Sequence, residues 1–303
     1  MPSEFIRANP SGGPPTLGGE NLILRASART HRVENYPGPL SIKTVVKGQA
    51  IWRHDRRSLV VGQDSFLVLS DGQPYSLHID AREPVHTCCV FFATGFVESV
   101  HRALTRDDLD AGDCINTDFL SHVHPRDERI LHRLGEIVAR PAPNRLGMDE
   151  QFVSLAQDLL LLYSEVRTRI GRLPGRKPST RNELFRRVSR GRDFLHARAF
   201  ENISLAEVAR ASFLSPYHFH RAFRGAFGTS PHEYLTRLRI AHAARLLRTA
   251  QEISVTQVAE AVGFESPTSF ANLFRRHTGD SPSALKARKQ LKPSGAPPRT
   301  NGS

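Results

Sequence analysis

Short runs of alternating apolar and polar residues dominate the chain between residues 20 and 95. The apolar runs include SIKTVVKG, SLVVG, SFLVLS and HTCCVFFA, and each is bounded by Gly, Asp or Pro. Alternation with a period of two, broken by turn residues, is typical of antiparallel strands that bury one face. The pattern therefore predicts an antiparallel β-domain in this part of the chain.

The period then changes to that of an α-helix. Two helical patterns follow, DERILHRLGEIVAR and MDEQFVSLAQDLLLLYSEVRTRIGR. The second pattern places a set of apolar residues on one side of a helix, namely Phe152, Leu155, Leu159, Leu162 and Val166. Two interpretations of this face stay open: a homodimer contact within residues 148–170, or a helix packed on the β-domain.

A polar segment separates this region from a purely helical one. GRLPGRKPSTRN, residues 171–182, is interrupted by Pro and Gly, as linkers often are. The sequence beyond it, residues 183–290, predicts a series of short helices. The order of elements, strands first and helices afterwards, predicts an α+β chain with an all-α C-terminal domain.

The helical region contains a duplicated segment. ISLAEVARASFLSPYHFHRAFRGAFGTSP and ISVTQVAEAVGFESPTSFANLFRRHTGDSP begin 50 residues apart. Each copy predicts a helix, a tight turn and a second helix. Ser215 and Ser266 are suitable N-caps before a proline at the first helical position, and Gly228 and Gly279 are suitable C-terminal stops.

The second helices of the two copies share an inner face and differ on the outer face. At about 100° per residue, Phe219 and Phe223 face inward in the first copy, as do Phe270 and Phe274 in the second. The outward residues are Tyr217, His220, Arg221 and Arg224 in the first copy, and Thr268, Ala271, Asn272 and Arg275 in the second, with Arg276 beside them. An α-helix fits the DNA major groove, where Arg pairs with guanine and Asn with adenine.

The charge distribution supports a nucleic-acid partner for this region. The net charge of the chain is +12. Residues 181–303 hold 20 Lys and Arg against 9 Asp and Glu, a net +11, whereas residues 1–180 hold 22 against 21, a net +1. Lys and Arg that neutralise phosphates provide affinity without sequence preference. Double-stranded DNA is thus favoured over the alternative, a helical bundle with a solvated polar surface.

A long helical pattern connects the two copies. PHEYLTRLRIAHAARLLRTA, residues 231–250, carries an apolar side that the spacing assigns to Leu235, Leu238, Ala241 and Leu246. A helix of this length is about 27 Å long. Because successive major-groove segments on one DNA face lie about 34 Å apart, the two copies are expected to read adjacent segments of one asymmetric site.

Residues 181–290 resemble the DNA-binding domain of the AraC/XylS family of bacterial transcription regulators. The second copy, VAEAVGFESPTSFANLFRRHTGDSP, carries the most specific part of the resemblance. It implies two helix-turn-helix units joined by a long helix, with base contacts from the early recognition-helix residues Tyr217, His220, Arg221, Thr268, Ala271 and Asn272. Phosphate contacts are implied for Arg224, Arg275 and Arg276.

The chain departs from the family pattern in the turn of the first unit. Phe213 stands where the family usually has a glycine, whereas the second unit keeps Gly263. A residue other than glycine is disfavoured in the left-handed backbone conformation. The first turn is therefore expected either to be strained or to follow a different path.

The resemblance also implies the fold of the N-terminal half. In this family it is commonly a cupin-like β-barrel that binds a small effector, with flanking helices that dimerise. The sequence itself predicts a flexible arm over residues 1–19. The cupin-like domain is expected over 20–170, and a flexible tail over 291–303. Four aromatic residues are candidates for lining an effector pocket, although simple core packing is the alternative: Trp52, Phe66, Tyr75 and Phe91.

Other chemistry is weakly represented in the sequence. His54, His78 and His86 are scattered and lack the His-x-His spacing of a metal-binding cupin, so neither a metal nor a cofactor is predicted. Cys88 and Cys89 alternate between strand faces, which favours buried inert thiols over a redox pair. No disulfide or zinc spacing is present, and no apolar run approaches a membrane span, so the sequence predicts a cytoplasmic protein.

These observations predict a DNA-binding transcription regulator without enzymatic activity. Control is expected from a small-molecule effector or from dimerisation through the N-terminal domain, and RNA polymerase is the expected partner if the regulator is an activator. The alternative is a cupin-type metalloenzyme domain fused to a DNA-targeting module. No general acid–base pair, nucleophile constellation or phosphate loop in the sequence favours that alternative.

Overall fold

The sheet of the N-terminal domain is organised around its two longest strands. The computed structural model describes residues 4–7, 17–55, 57–105, 121–141, 144–249 and 253–290. Strands β2 (Leu22–Pro37) and β7 (Pro74–Phe91) are antiparallel, and their register shifts at two points along β2. Such irregularities bend and twist a strand. The bent pair can therefore form part of both ends of a barrel.

The remaining strands curl the sheet into a nearly closed antiparallel barrel. They are β1 (Glu4–Arg7), β3 (Ser41–Lys47), β4 (Ala50–His54), β5 (Arg57–Val61), β6 (Ser65–Leu69) and β8 (Val123–Pro125). The order is β1-β2-β7-β3-β6-β8, and β4 pairs with both β5 and β7. The same edge of β7 pairs with β4 near its start and with β3 near its end, so β7 connects these two strands within the barrel. This architecture confirms the cupin-like barrel that the resemblance implies.

Three helices cover one side of the barrel. They are α1 (Phe96–Leu104), α2 (Glu128–Ala139) and α3 (Arg145–Gly171). The Asp127 carboxylate accepts hydrogen bonds from the first backbone N–H groups of α2, and the Asn144 side chain does the same for α3. The apolar face predicted for α3 is buried at all five positions, from Phe152 to Val166. The face packs within the monomer, as one of the two interpretations expects.

Within the described residues, seven helices form the C-terminal domain. They are α4 (Pro178–Ala197), α5 (Leu205–Ala211), α6 (Pro216–Phe227), α7 (Pro231–Thr249), α8 (Val255–Ala261), α9 (Pro267–Thr278) and α10 (Pro282–Gln290). We call α5 and α6 the first unit, and α8 and α9 the second unit. The all-α prediction for this region is confirmed.

Two predicted boundaries need correction. The predicted linker, residues 171–182, is helical from Pro178 onward, because a proline at the first turn is compatible with a helix start. The predicted flexible arm contains strand β1, which pairs with β2. The rest of the arm up to residue 16, and the predicted tail 291–303, lie outside the described residues.

Three apolar cores hold the chain together. The first fills the barrel lumen and contains Trp52, Leu59 and Leu69. The second begins on the outer face of the sheet, continues through α2, α3 and α4, and reaches Phe219 and Phe223 of the first unit. The third lies between α7 and the second unit. The first unit is thus cored together with the N-terminal domain, and the second unit has its own core.

The apolar side of α7 differs from the predicted one. Leu235 is buried as expected, but Leu238 and Leu246 are half-buried and Ala241 is exposed. The side chains that pack against the second unit are instead Ile240, Ala243, Ala244 and Leu247. Because α7 contacts different neighbours along its length, its buried residues do not all lie on one face of the helix. In the described part of the chain no helix is long and apolar enough to cross a membrane.

Candidate nucleic-acid interface

The two units are built with the same local devices. Ser204 and Ser254 begin α5 and α8 with capping boxes, in which the cap and the third helical residue exchange hydrogen bonds. Ser215 Oγ accepts from the His218 amide at the start of α6, and Ser266 Oγ accepts from the Ser269 amide at the start of α9. Gly228 and Gly279 end these helices in the left-handed conformation. The caps and stops predicted from the duplication are confirmed.

The recognition helices α6 and α9 each have one buried and one solvent-facing side. Phe219, Phe223, Phe270 and Phe274 are all completely buried. The side chains predicted to face DNA lie on the opposite side, and eight of the nine are exposed: Tyr217, His220, Arg221, Arg224, Thr268, Asn272, Arg275 and Arg276. Ala271 is half-buried. The structure therefore places the predicted contact residues together on two outward surfaces.

The turn of the first unit follows the same path as that of the second. Phe213 has φ 52 and Gly263 has φ 80, both in the left-handed region. The Phe213 and Leu214 amides donate to carbonyls of α5 just as the Gly263 and Phe264 amides donate to carbonyls of α8. Phe213 therefore adopts the left-handed conformation that is disfavoured for a residue other than glycine, and the turn does not follow a different path. Phe213 is 67% exposed, and its ring lies 5.5 Å from the Arg190 guanidinium. The ring therefore takes up no space in the core of the first unit.

Arg239 of α7 fastens the second unit to the segment that follows α4. Its guanidinium donates to three backbone carbonyls, those of Ala199 at 2.7 Å, Glu201 at 2.7 Å and Gly263 at 2.8 Å. The planar fork of Arg suits several acceptors at once. No pattern in the sequence points to Arg239, because its partners are main-chain atoms.

The barrel lumen brings three of the four predicted effector-pocket residues together. Trp52, Tyr75 and Phe91 are buried in the lumen core, whereas Phe66 lies on the outer face of the sheet and stacks on His124. Phe66 is separated from the others because its side chain follows the alternation of β6 to the opposite face. The three rings in the lumen pack among other buried side chains.

Lys43 lies among these rings and was not predicted as a site residue. It is 1% exposed, and its Nζ lies 3.2 Å from the Tyr75 hydroxyl and 3.7 Å from the centre of the Phe91 ring. Desolvation lowers the pKa of Lys43 to about 8. The strand alternation of SIKTVV already places this lysine on the inner face, and that is the signal that could have found it.

A cavity of about 900 Å³ lies between the barrel, α2 and α7. Leu131, Leu134 and Val138 of α2 provide an apolar wall. Four arginines contribute positive charge to the lining: Arg25, Arg126, Arg245 and Arg248. Arg245 Nη1 lies 2.6 Å from Asp64 Oδ2, so an ion pair between α7 and the barrel forms part of the cavity wall.

The free energy of unfolding should depend on pH through His242, which lies beside Arg245 on α7. Its Nδ1 accepts a hydrogen bond from Arg245, and burial together with the Arg245 charge lowers the pKa of His242 to about 4. The unfolded-state pKa is about 6.5, so this histidine contributes stability that is present above pH 6.5 and is lost as the pH falls toward 4. Between pH 7 and pH 5 we expect it to reduce the free energy of unfolding by about 1 kcal/mol, with its partial exposure taken into account.

Urea denaturation at both pH values checks this expectation. The variant His242→Gln should show a pH dependence smaller than that of the parent chain by that amount. His232→Gln, at an exposed histidine of the same helix, is the matched control and should keep the parent's dependence. Equal pH dependence in all three proteins would contradict the expectation.

The two adjacent cysteines are buried in different cores. Cys88 packs on the outer face of the sheet and Cys89 in the lumen, and both are free thiols. Burial raises the pKa of Cys88 to about 12 and raises that of Cys89 as well. Thiols of this kind are unreactive, in agreement with the prediction. Cys114 lies outside the described residues.

Comparison with known proteins identifies both domains. A model described as an AraC-like ligand binding domain matches residues 24–170, and a model described as a helix-turn-helix domain matches residues 208–288. The chain belongs to the AraC/XylS family of transcription regulators. The two matched AraC/XylS regions correspond to the barrel with its helices and to the two units described above.

Individual relatives match part of the chain. The MmsAB operon regulatory protein of Pseudomonas aeruginosa is 31% identical over 144 residues, which is 46% of this chain and 45% of that protein. The probable transcriptional regulator LumQ of Photobacterium leiognathi is 38% identical over 82 residues, 27% of this chain and 33% of that protein. This AraC/XylS chain thus spans less than half the length of both relatives.

A solved structure matches about a third of the chain. The DNA-binding domain of AdpA, determined in complex with a target DNA, is 31% identical, with a TM-score of 0.33. The match covers 36% of this AraC/XylS chain and 97% of the AdpA chain.

Proposed function

We propose that this chain is a transcription regulator that reads an asymmetric DNA site through its two helix-turn-helix units. The observation that carries the proposal is the pair of recognition helices, which keep the same buried Phe positions and expose different polar side chains. Arg221 in the first unit and Asn272 in the second are both exposed and of the residue types that read base edges. Two recognition helices with different exposed side chains suit a DNA site without internal symmetry.

Substitutions in the two recognition helices should separate base reading from phosphate binding. Arg221→Ala and Asn272→Ala are each expected to relax preference at one position of the site, with a loss of discrimination of about 10- to 100-fold. Arg275→Ala is expected to weaken binding to all sequences about equally, and to reduce the salt slope by about 1. Selection from random DNA, followed by titration at several salt concentrations, measures both effects.

The selection also tests the regulator proposal itself. The parent chain should enrich one preferred asymmetric sequence, and each base-reading variant should lose information at a different position in it. Failure of the parent chain to enrich any sequence would overturn sequence-specific regulation. Recovery of sites upstream of promoters in cells would indicate whether RNA polymerase is a partner.

The N-terminal domain is proposed to control DNA binding through a small effector. Support comes from the cavity of about 900 Å³, whose lining joins the barrel to Ala241, Ala244 and Arg245 of α7. An occupant there contacts the helix that connects the two units. The lumen residues Trp52, Tyr75 and Phe91 remain proposed effector contacts, but their side chains pack together with Lys43. An effector in the lumen therefore requires these rings to move.

Control by dimerisation remains a second part of the proposal. Helix α3 buries its main apolar face within the monomer, yet Leu161 is 52% exposed and Leu146 is 71% exposed on the same helix. A homodimer contact over residues 148–170 would use this outer side of α3. Analytical ultracentrifugation of the chain and of Leu161→Glu tests it.

The metalloenzyme alternative gains no support from the geometry. Across the described ranges, no three His, Cys, Asp or Glu side chains are grouped closely enough to hold a metal ion. His54 lies on β4, whereas His78 and His86 lie on different parts of β7. We therefore propose a regulator without catalytic activity, acting on DNA in the cytoplasm.

A further inference from the structure

A second cavity lies where the barrel meets the first helix of the DNA-binding domain. Its volume is about 420 Å³, and it lies between the β4–β5 hairpin, the segment before β8, and α4. It shares no lining residue with the larger cavity beside α7. Ligand sites of this size are common at contacts between domains.

The lining of this second cavity is predominantly cationic. Arg57 comes from the barrel, and Arg186 and Arg190 come from α4. Asp55 lies 3.2 Å from Arg190 Nη2, and Arg57 Nη1 lies 3.5 Å from the buried Asp193. Arg186 is exposed and forms no ion pair with any residue that the structure describes. The lining itself therefore holds three arginines against one carboxylate, that of Asp55.

Two buried polar side chains in the lining also lack partners. His122 is 3% exposed and Ser189 is 2% exposed. Within the described ranges, neither His122 Nε2 nor Ser189 Oγ has a hydrogen-bond partner. Buried polar groups without partners are rare in folded proteins, and a bound water, ion or ligand is one way to complete their hydrogen bonding. The Phe185 ring adds an apolar surface to the same cavity.

We propose that this cavity binds a small organic oxyanion, with its carboxylate or phosphate group held by the arginines. The planar fork of Arg matches both groups in a bidentate manner. Small polar shifts would let Ser189 and His122 complete the hydrogen bonding, and the carbon skeleton of the ligand would lie against Phe185. A volume near 420 Å³ admits a metabolite-sized acid and excludes a macromolecule.

Binding at this place would join the two domains more tightly. Arg57 belongs to the barrel, whereas Arg186 and Arg190 belong to α4, so one anion bridges both sides of the contact. The ligand replaces Asp55 as the partner of Arg190 and provides Arg186 with a counter-charge. This inference goes beyond the effector control proposed above, because it assigns a different cavity and a different ligand chemistry.

Isothermal titration calorimetry of the full chain, without DNA, tests the proposal. The probes are succinate and citrate as carboxylates, inorganic phosphate and glucose 6-phosphate as phosphates, and sulfate and chloride as non-specific anions. We expect saturable binding of one molecule per chain for one of the first two groups, with a dissociation constant below about 1 mM. Which group binds distinguishes a carboxylate from a phosphate ligand.

Three variants locate the site. Arg186→Gln removes an exposed arginine without an observed ion pair, so the fold should be retained, and it is expected to weaken binding about 10-fold or more. Ser189→Ala should weaken binding several-fold. Arg187→Gln is the matched control, because Arg187 lies on the same helix, pairs with Glu183 at 2.9 Å and does not line the cavity.

The outcomes are separable from those of the DNA-binding proposal. Equal weak heats from all anions, unchanged affinity in Arg186→Gln, or the same loss in Arg187→Gln would overturn the oxyanion site. The DNA affinity of Arg186→Gln measured without ligand should equal that of the parent chain. Saturable anion binding by a chain that selects no DNA sequence would support this site while the regulator proposal failed.

Discussion

Gly263→Ala is expected to lower the free energy of unfolding by about 3 kcal/mol or more. The residue has φ +80, where an L side chain is strained. An added Cβ would also lie 2.6 Å from the Phe200 carbonyl oxygen, a main-chain atom that cannot move alone. The same turn supplies the Gly263 carbonyl that binds Arg239. Urea denaturation of the full chain and of the variant measures the loss.

Gly279→Ala separates the two contributions to this loss. Gly279 has the same φ of +80, but a Cβ there would meet nothing within 4 Å. Only the conformational term remains, and we expect a loss of about 1 kcal/mol. If the two variants lost equal stability, the steric argument for Gly263 would be wrong.

Arg239→Met is the second change expected to have a large effect, with a loss of about 2–4 kcal/mol. Methionine keeps much of the side-chain volume but donates no hydrogen bond, so three main-chain carbonyls lose their partners. These carbonyls belong to the segment that follows α4 and to the turn of the second unit. The second unit should therefore lose its fixed position as well as stability. Urea denaturation and titration of the selected DNA site measure the two effects.

Arg237→Met is the control on the same helix. Arg237 is exposed and lies 3.1 Å from Glu233, an i,i+4 pair of the kind that contributes less than about 1 kcal/mol. Both stability and DNA affinity should stay close to those of the parent chain. A loss in Arg237→Met comparable to that in Arg239→Met would show that general charge removal, and not the three carbonyl contacts, explains the effect.

The duplicated units could be predicted closely because their determinants are local. In each recognition helix a serine before a proline sets the start, a glycine sets the end, and Phe residues at helical spacing set the buried side. The same logic predicted that the turn at Phe213 is either strained or follows a different path. It could not show that the turn keeps its path, because that depends on the hydrogen bonds of the surrounding helices and on the open space around an exposed ring.

Features that depend on packing between distant segments were predicted less well. Phe66 was grouped with Trp52 by residue type, although strand alternation places the two side chains in different cores. The face of α7 was assigned from spacing alone, and its actual contacts follow from where the second unit packs. The small cavity containing Arg57 and Arg186 joins segments far apart in sequence, so no local motif points to it.

The division of the apolar cores has a consequence for how the chain opens. The first unit shares its core with the barrel helices, whereas the core of the second unit is formed mainly with α7, with Phe200 and Leu285 packed at its edge. Apolar cores of this kind define cooperative units of local unfolding. The second unit is therefore expected to open at a lower free energy than the first unit, once the Arg239 contacts are broken. The amide protons of Phe270 and Phe274 should then exchange through an opening reaction of lower free energy than those of Phe219 and Phe223. DNA binding should raise the opening free energy of the second unit and so reduce this difference.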